Sequence, residues 1–372
     1  MSGLWHTEAG ILAMGQFMER SPTTRTRFAF IEGMRGLAAL YVVIGHFGTM
    51  ADPLGKRADG TWWQAFMAPF AYGHMAVAAF IVISGFCMQM SLYRRDPAGG
   101  TCPEPKRFFL ARMRRILPPY YACLALSLLV CWLVTSRHTG LPWNQYVPVT
   151  GGAIWSHVFL VHNLAPEWMY KINGVLWSIG IEFQLYFTVP VFAWLLARRQ
   201  AWAVVLVAIL ASVSIFVWPE LIKLYPWYAT LFIVGMMAAR GAFGPRPGSP
   251  LMFGLAALIG LVAGAWWCSL TKSQIGPNLV FGAGVAALLW AGCAARREVW
   301  GLAWRPLVGL GVFSYSLYLM HHPVLQVYAH LTRVGSQPLA AEYQGLFAIC
   351  LPIILATCFG FYWLFERPFM KK

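Results

Sequence analysis

The 372-residue chain is 59% hydrophobic and only 11% charged, with a mean hydropathy of +0.59. That is too little polar surface to clothe a water-soluble globule, so the composition excludes a soluble enzyme or binding domain and places the chain in a bilayer. The net charge of +15 does not point to nucleic acid, because Lys and Arg sit in the connections between apolar runs, where they set topology, rather than as a stripe on amphipathic elements.

In chain order, residues 1–27 carry Glu8 and Glu19 in a weakly apolar stretch with no cleavable-signal layout, which predicts a cytoplasmic lead-in. Apolar runs then predict spans near 30–50, 70–92, 117–135, 175–197, 201–218, 225–240, 251–270, 277–295, 306–330 and 343–365. The stretch 152–165, with Ser156, His157, His162 and Asn163, is too short and polar for a span and reads as re-entrant or interfacial. With the N-terminus inside, 21 of the 28 basic residues become cytoplasmic, leaving Lys56, Arg57, Arg137, Lys171, Lys223, Lys272 and Arg333 outside. The expected fold is therefore an all-α polytopic membrane protein: a bundle of about ten transmembrane helices over 28–368, both termini cytoplasmic, with a short tail at 369–372. The longest hydrophilic segment, 94–116, reads as a basic cytoplasmic loop leading into a helix start. Eight cysteines show no CxxC pair and no His/Cys ligand spacing, so they read as small core hydrophobes and no metal is expected.

Polar groups inside hydrocarbon are costly, and each asks for an explanation. Arg35 and His46 lie eleven residues apart in the first span. On a helix they fall within about 20° of one face, separated by roughly 16 Å along the axis. That distance resembles the reach of a pantetheine arm, so Arg35 at the cytoplasmic rim would hold coenzyme A phosphates while the thioester meets His46. On spacing alone, a packing histidine and a topology-setting arginine explain the pair equally well. Arg112, Arg114 and Arg115 form a basic cluster on the same side, suited to phosphate oxygens or to topology. Glu182 is the one acid read as lying well inside an apolar span, able to pair with an arginine, orient a histidine or bind a sugar hydroxyl. His321 and His322 point about 100° apart on a helix and cannot form a same-face metal pair. His74, His157 and His162 flank the outer ends of their segments, and Trp62, Trp63, Trp143, Tyr146 and Trp168 suit either sugar stacking or an interfacial belt.

Taken together and in order, these stretches resemble the acyltransferase-3 family of membrane O-acyltransferases that modify bacterial surface polysaccharide and lipopolysaccharide. The segments are RGLAALYVVIGH (35–46), FIVISGF (80–86), the Arg-x-x-Arg element at Arg112 and Arg115, LWSIGIEFQLY (176–186) and SYSLYLMHHP (314–323). The resemblance covers roughly 28–368. It implies His46 as the essential histidine, Arg35, Arg112 and Arg115 as contacts to the acyl donor, and acyl-CoA, expected as acetyl-CoA, as that donor. Glu182 is expected to assist His46, and Trp177, Ser178, Asn163, Tyr318 and His321 are expected to contact substrate. Two family acids are replaced here by Ala78 and Phe183. Many relatives add an SGNH hydrolase-like domain; after Pro368 only four residues follow here, so transfer is expected at the bundle itself. The acceptor would be an envelope glycan or lipid-linked sugar, the setting the bacterial inner membrane and its lipid, and a homo-oligomer is left open. The rival class is a transporter or flippase using intramembrane His46, Glu182 and His321, although no inverted repeat is apparent; a membrane scaffold or sensor would bind no acyl-CoA.

Overall fold

The computed structural model describes residues 22–57, 60–93, 101–102, 104–243, 249–294 and 304–370, with side chains from residue 29 onward. Most of the N-terminal lead-in, the connections carrying Arg94, Arg95, Arg246, Arg296 and Arg297, and the two terminal lysines lie outside the described residues.

Among the described residues the fold is helical, with no strand. The helices are α1 (Pro22–Ala51), α2 (Trp62–Met67), α3 (Gly73–Tyr93), α4 (Pro105–Leu133), α5 (Gly151–Val158), α6 (Leu176–Tyr186) and α7 (Val189–Ala197). They continue with α8 (Ala201–Val217), α9 (Trp227–Phe243), α10 (Pro250–Leu270), α11 (Ile275–Ala294), α12 (Arg305–Val312), α13 (Ser314–Thr332) and α14 (Leu339–Met370). Six helical stretches are long and apolar enough to cross a membrane: Ala29–Ala51, Trp62–Tyr93, Pro105–Arg137, Pro250–Leu270, Ile275–Ala294 and Leu339–Met370. A seventh is the pair α6 and α7, bent by 46°. The bend follows from Pro190, which has no N–H to give to the carbonyl four residues back and so breaks the helical ladder near Tyr186. This is a multi-pass membrane protein, and its outer faces agree: Leu251, Ile259, Val262 and Trp266 on α10 and Trp202, Ile209 and Phe216 on α8 are exposed.

All ten predicted runs fall on helix, with three differences. The run 306–330 is broken at Phe313 into α12 and α13, and α13 buries His321, His322 and Gln326 instead of presenting an apolar face to lipid. Helix α4 starts at Pro105, not near 117, so Arg112, Arg114 and Arg115 stand on helical turns rather than in a loop. The helix runs through Pro118 and Pro119, beside which the Tyr315 hydroxyl donates to the Ile116 carbonyl at 3.2 Å. The 152–165 stretch forms the eight-residue α5, capped by Thr150 Oγ1, and a 3-10 turn over His162–Leu164. Eight residues rise roughly 12 Å, far short of the ~30 Å hydrocarbon core.

Helix α1 is the spine. Its first half (Phe30, Ile31, Met34) packs into one apolar core with α3, α6, α7, α9 and α11; its second half (Ala38, Val42, Phe47, Met50) packs into another with α4, α13 and α14. In lipid no hydrophobic effect drives helices together, so close backbone approach matters more, and glycines supply it. A Cβ on Gly85 would meet the Phe232 carbonyl oxygen at 2.0 Å, and one on Gly235 would meet that of Val82 at 2.1 Å, locking α3 to α9. The same reciprocal contact joins α1 to α12: Gly36 faces the Leu307 carbonyl at 2.0 Å and Gly311 that of Glu32 at 1.9 Å.

Because backbone atoms cannot step aside, Gly85→Ala should cost about 1–3 kcal/mol, seen as a lower melting temperature in detergent. Gly360→Ala, where an added Cβ meets nothing within 4 Å, should be neutral or gain about 0.5–1 kcal/mol.

Candidate active site

A cavity of about 260 Å³ opens where α1, α3, α4, α6 and α13 converge. Arg35, Arg112 and Arg115 line it together with Glu32 and Glu182, so three guanidiniums face two carboxylates. The burial pattern explains why they can be charged there: Arg35 and Glu32 keep 18% and 25% of their side-chain surface and pair at 3.3 Å, one helical turn apart. Glu182 Oε1 accepts from Ser84 Oγ at 2.5 Å and from the Tyr186 hydroxyl, both of them cavity-wall residues. The wall also includes Tyr318 on α13 and Ser178 on α6, whose hydroxyls lie 2.7 Å apart.

Behind Tyr318 lies a cluster of three imidazoles. The Tyr318 ring centroid is 6.0 Å from that of His321, and His321 Nε2 is 3.0 Å from His46 Nδ1. His322 meets His46 edge-on at 5.4 Å between centroids. Helix geometry assigns the tautomers. His46 Nδ1 lies 3.0 Å from the Val42 carbonyl and His321 Nδ1 lies 2.9 Å from the Leu317 carbonyl. A carbonyl oxygen only accepts, so in the neutral rings each Nδ1 carries the hydrogen. His321 Nε2 is then a lone pair that shares the hydrogen of His46 Nδ1, and His46 Nε2 is left as an unprotonated, basic nitrogen on a half-buried ring.

The expected site residues divide accordingly. Arg35, Arg112, Arg115, Glu182, Ser178 and Tyr318 share the cavity; His46 and His321 form the pair just beyond it and are not among its lining residues. Glu182 does not touch His46, whose polar partner is His321; the carboxylate is taken up by Ser84 and Tyr186 because α6 packs toward α3 at that level. Trp177 stands in an aromatic cluster with Tyr225 and Tyr228, and Asn163 forms a reciprocal amide pair with Gln184 at 2.8 and 3.2 Å; neither reaches the cavity wall. His157 and His162, expected at an outer surface, are fully buried and stacked at 3.9 Å, because the turn over 160–163 packs against Gly180 of α6 and the Tyr120 hydroxyl of α4 donates to the His157 carbonyl. No group of three or more His, Cys, Asp or Glu stands where it could hold a metal ion among the described residues, and all eight cysteines are free thiols.

The acyltransferase-3 family profile, described as an acyltransferase domain, matches residues 28–365. The chain belongs to that family. It is therefore an acyltransferase, and the cavity with its adjoining histidines lies inside the matched region. BcsY of Komagataeibacter xylinus, provisionally described as a membrane-bound transacylase, is 27% identical over 354 residues, covering 91% of this chain and 81% of its own length. Nodulation protein 10 of Rhizobium leguminosarum bv. viciae is 30% identical over 210 residues, 54% of this chain and 53% of that protein. No solved structure matches.

Three further side chains of this acyltransferase belong to its polar interior: Glu366, His322 and Gln326. Glu366, fully buried and bonded to Ser316 N at 3.1 Å and Ser316 Oγ at 2.5 Å, was missed because the last span was ended at 365 while α14 runs on to Met370. Thus Glu182 is not the only acid inside the bundle. From the sequence His322 is weighed only as a metal partner of His321, and Gln326 carries no signal beyond being polar in a span; only the fold shows both enclosed.

Glu182→Leu should leave the Ser84 and Tyr186 hydroxyls, 3.2 Å apart, with only each other, so that one of their two hydrogens loses its acceptor, and cost about 1–3 kcal/mol; Glu182→Gln, which keeps an oxygen in place, should melt close to the parent, and paired detergent melts check this.

Proposed function

We propose that this acyltransferase moves an acyl group, with acetyl the expected one, from acyl-coenzyme A to a hydroxyl of an envelope glycan, exopolysaccharide or glycolipid at the bacterial inner membrane. The observation that carries the reading is that the arginine-lined cavity ends at Tyr318, whose ring stands 6.0 Å from that of His321, which in turn lies 3.0 Å from His46 Nδ1. Anionic phosphates suit Arg35, Arg112 and Arg115, since guanidinium forks match phosphate oxygens. The pantetheine arm would run along α1 from Arg35, and the thioester would pass the Tyr318 ring to reach His46. The membrane-bound transacylase description of BcsY supports acyl transfer within a membrane.

In direct transfer, His46 Nε2 takes the acceptor hydroxyl proton as the oxygen attacks the thioester carbonyl; the C–S bond breaks and the proton passes to the departing thiolate. In the alternative, Nε2 itself attacks, an N–acyl bond forms as C–S breaks and the thiolate leaves, and the acceptor oxygen then attacks the acyl carbon; the C–N bond breaks, Nε2 is restored and the hydroxyl proton ends on the thiolate. Both routes put positive charge on the imidazole, and the Nδ1 hydrogen shared with His321 Nε2 disperses it. His321 is expected from the sequence to contact substrate; in this mechanism it is a positioning residue.

The same reading takes 28–368 as the transferase bundle with ten crossings, 1–27 as a cytoplasmic lead-in and 369–372 as a cytoplasmic tail. A C-terminal reporter active only in the cytoplasm would support that orientation, and one active only outside would reject it.

His46→Ala should lower transfer of label from radiolabelled acetyl-CoA by about 10²–10⁴-fold while leaving coenzyme A binding near the parent's. Undiminished turnover would reject the role of His46. Arg35→Ala should instead raise the KM for acetyl-CoA.

A further inference from the structure

The donor cavity ends at Tyr318, short of His46 and on the His321 side of it. The other side carries a second set of polar groups that the mechanism above does not use. On α13, His322, Gln326 and His330 recur every four residues and so follow one face of the helix, over roughly 12 Å of its axis. The chain between α4 and α5 lies against this face: the Tyr146 hydroxyl is 3.1 Å from His322 Nε2, and His138 Nε2 is 2.8 Å from His330 Nδ1. His138 stacks on Trp143 with centroids 4.1 Å apart. At the inner end of the row, next to His46, His322 Nδ1 is buried without a hydrogen-bond partner. One turn on, Gln326 is fully buried and neither its amide nitrogen nor its amide oxygen is bonded. At the outer end, His138 and His330 are half-exposed. None of these residues lines the arginine cavity.

We propose that this face of α13, with Tyr146 opposite, is the acceptor subsite, a hydrogen-bonding path by which a hydroxyl-rich ligand of the sugar class reaches His46 from the end away from the arginines. It rests on the acyl-transfer reading above and assigns the second substrate's contacts.

The chemistry of the unbonded atoms selects the ligand. A primary amide offers two donors and two acceptor lone pairs, and the His322 Nδ1 position adds one more. Leaving such groups buried and unpaired is unfavourable, and buried polar side chains are as a rule bonded. An acyl chain would leave every one unsatisfied. A phosphate would satisfy the amide hydrogens but not the amide oxygen. An alcohol both donates and accepts, and adjacent hydroxyls on a sugar ring can meet the amide and the imidazole together. The arrangement also separates the substrates: anionic donor from the guanidinium end, neutral polyol from the histidine end, with the His46 imidazole between them.

The test uses Gln326→Leu, which conserves volume and removes both polar atoms. Membrane vesicles from cells carrying the gene or the variant are given radiolabelled acetyl-CoA. Label entering the alkali-labile ester fraction is measured beside the KM for acetyl-CoA, the binding of labelled coenzyme A and the melting temperature of the purified protein. The expected result is at least about tenfold less ester at low acceptor loading, with the KM for acetyl-CoA and coenzyme A binding unchanged and melting unchanged or raised. Equal ester formation by parent and variant would overturn the proposal, since Gln326 would then be a core defect only. A loss shared by ester formation and donor binding would overturn it as well, by showing general damage. Parent vesicles that form no ester at all would instead overturn the acyl-transfer reading, and this proposal with it.

Discussion

The contact on which the rest of the site depends is the imidazole pair of His46 and His321. Two helices far apart in sequence must lie side by side for these rings to meet at 3.0 Å, and each ring is already tied to the carbonyl one turn back on its own helix. Those ties fix both tautomers and leave a single basic nitrogen. Such a pair cannot stand in contact with lipid, where unpaired polar groups cost several kcal/mol. Helix α13 is consequently enclosed, and the lipid-facing role falls to helices such as α8 and α10, whose outward surfaces are apolar.

Enclosure in turn requires helices to approach closely on several sides. The reciprocal glycine contacts do this without side-chain bulk, setting α3 against α9 and α1 against α12 at backbone distance. Helix α1 then runs between two apolar cores, with Arg35 at the junction where α1, α3, α4, α6 and α13 leave a cavity and His46 against α13. Since Ser314 and Tyr315 border that cavity while His321 and His322 meet His46, α1 and α13 run in the same direction, and their polar residues fall into matching levels. The three guanidiniums of the cavity stand at the Arg35 level, and the buried imidazoles and amide stand at the His46 level of α13 and beyond it. A transfer between an anionic donor and a neutral polar acceptor calls for such an asymmetry.

Much of this was legible in the chain itself. Apolar runs of span length gave the membrane class and located helix at all ten predicted positions, because hydropathy and backbone satisfaction leave few other options in lipid. The eleven-residue step from Arg35 to His46 gave a shared helix, and the ordered motifs gave the family that the profile over 28–365 then showed. Less could be read where tertiary packing decides. Trp177 sits beside Ser178 in one motif, yet successive helical residues point about 100° apart, so Ser178 reaches the cavity and Trp177 an aromatic cluster. The start of α4 at Pro105 was hidden because a basic amphiphilic stretch reads alike as a loop or as helical turns.

The sequence by itself determined that this protein lives in a bilayer, that it is helical, that it belongs with membrane acyltransferases, and that Arg35 and His46 share one helix. Each of these follows from local properties: hydropathy, period and motif order. Only the tertiary structure decided that His46 is partnered by His321 and not by Glu182, that the arginines of α1 and α4 face one cavity, and that Gln326 is buried unbonded beside the same centre. The physical reason is that these relations join residues up to 275 positions apart. Distances of that kind are set by which helix faces pack together, and no local pattern records them.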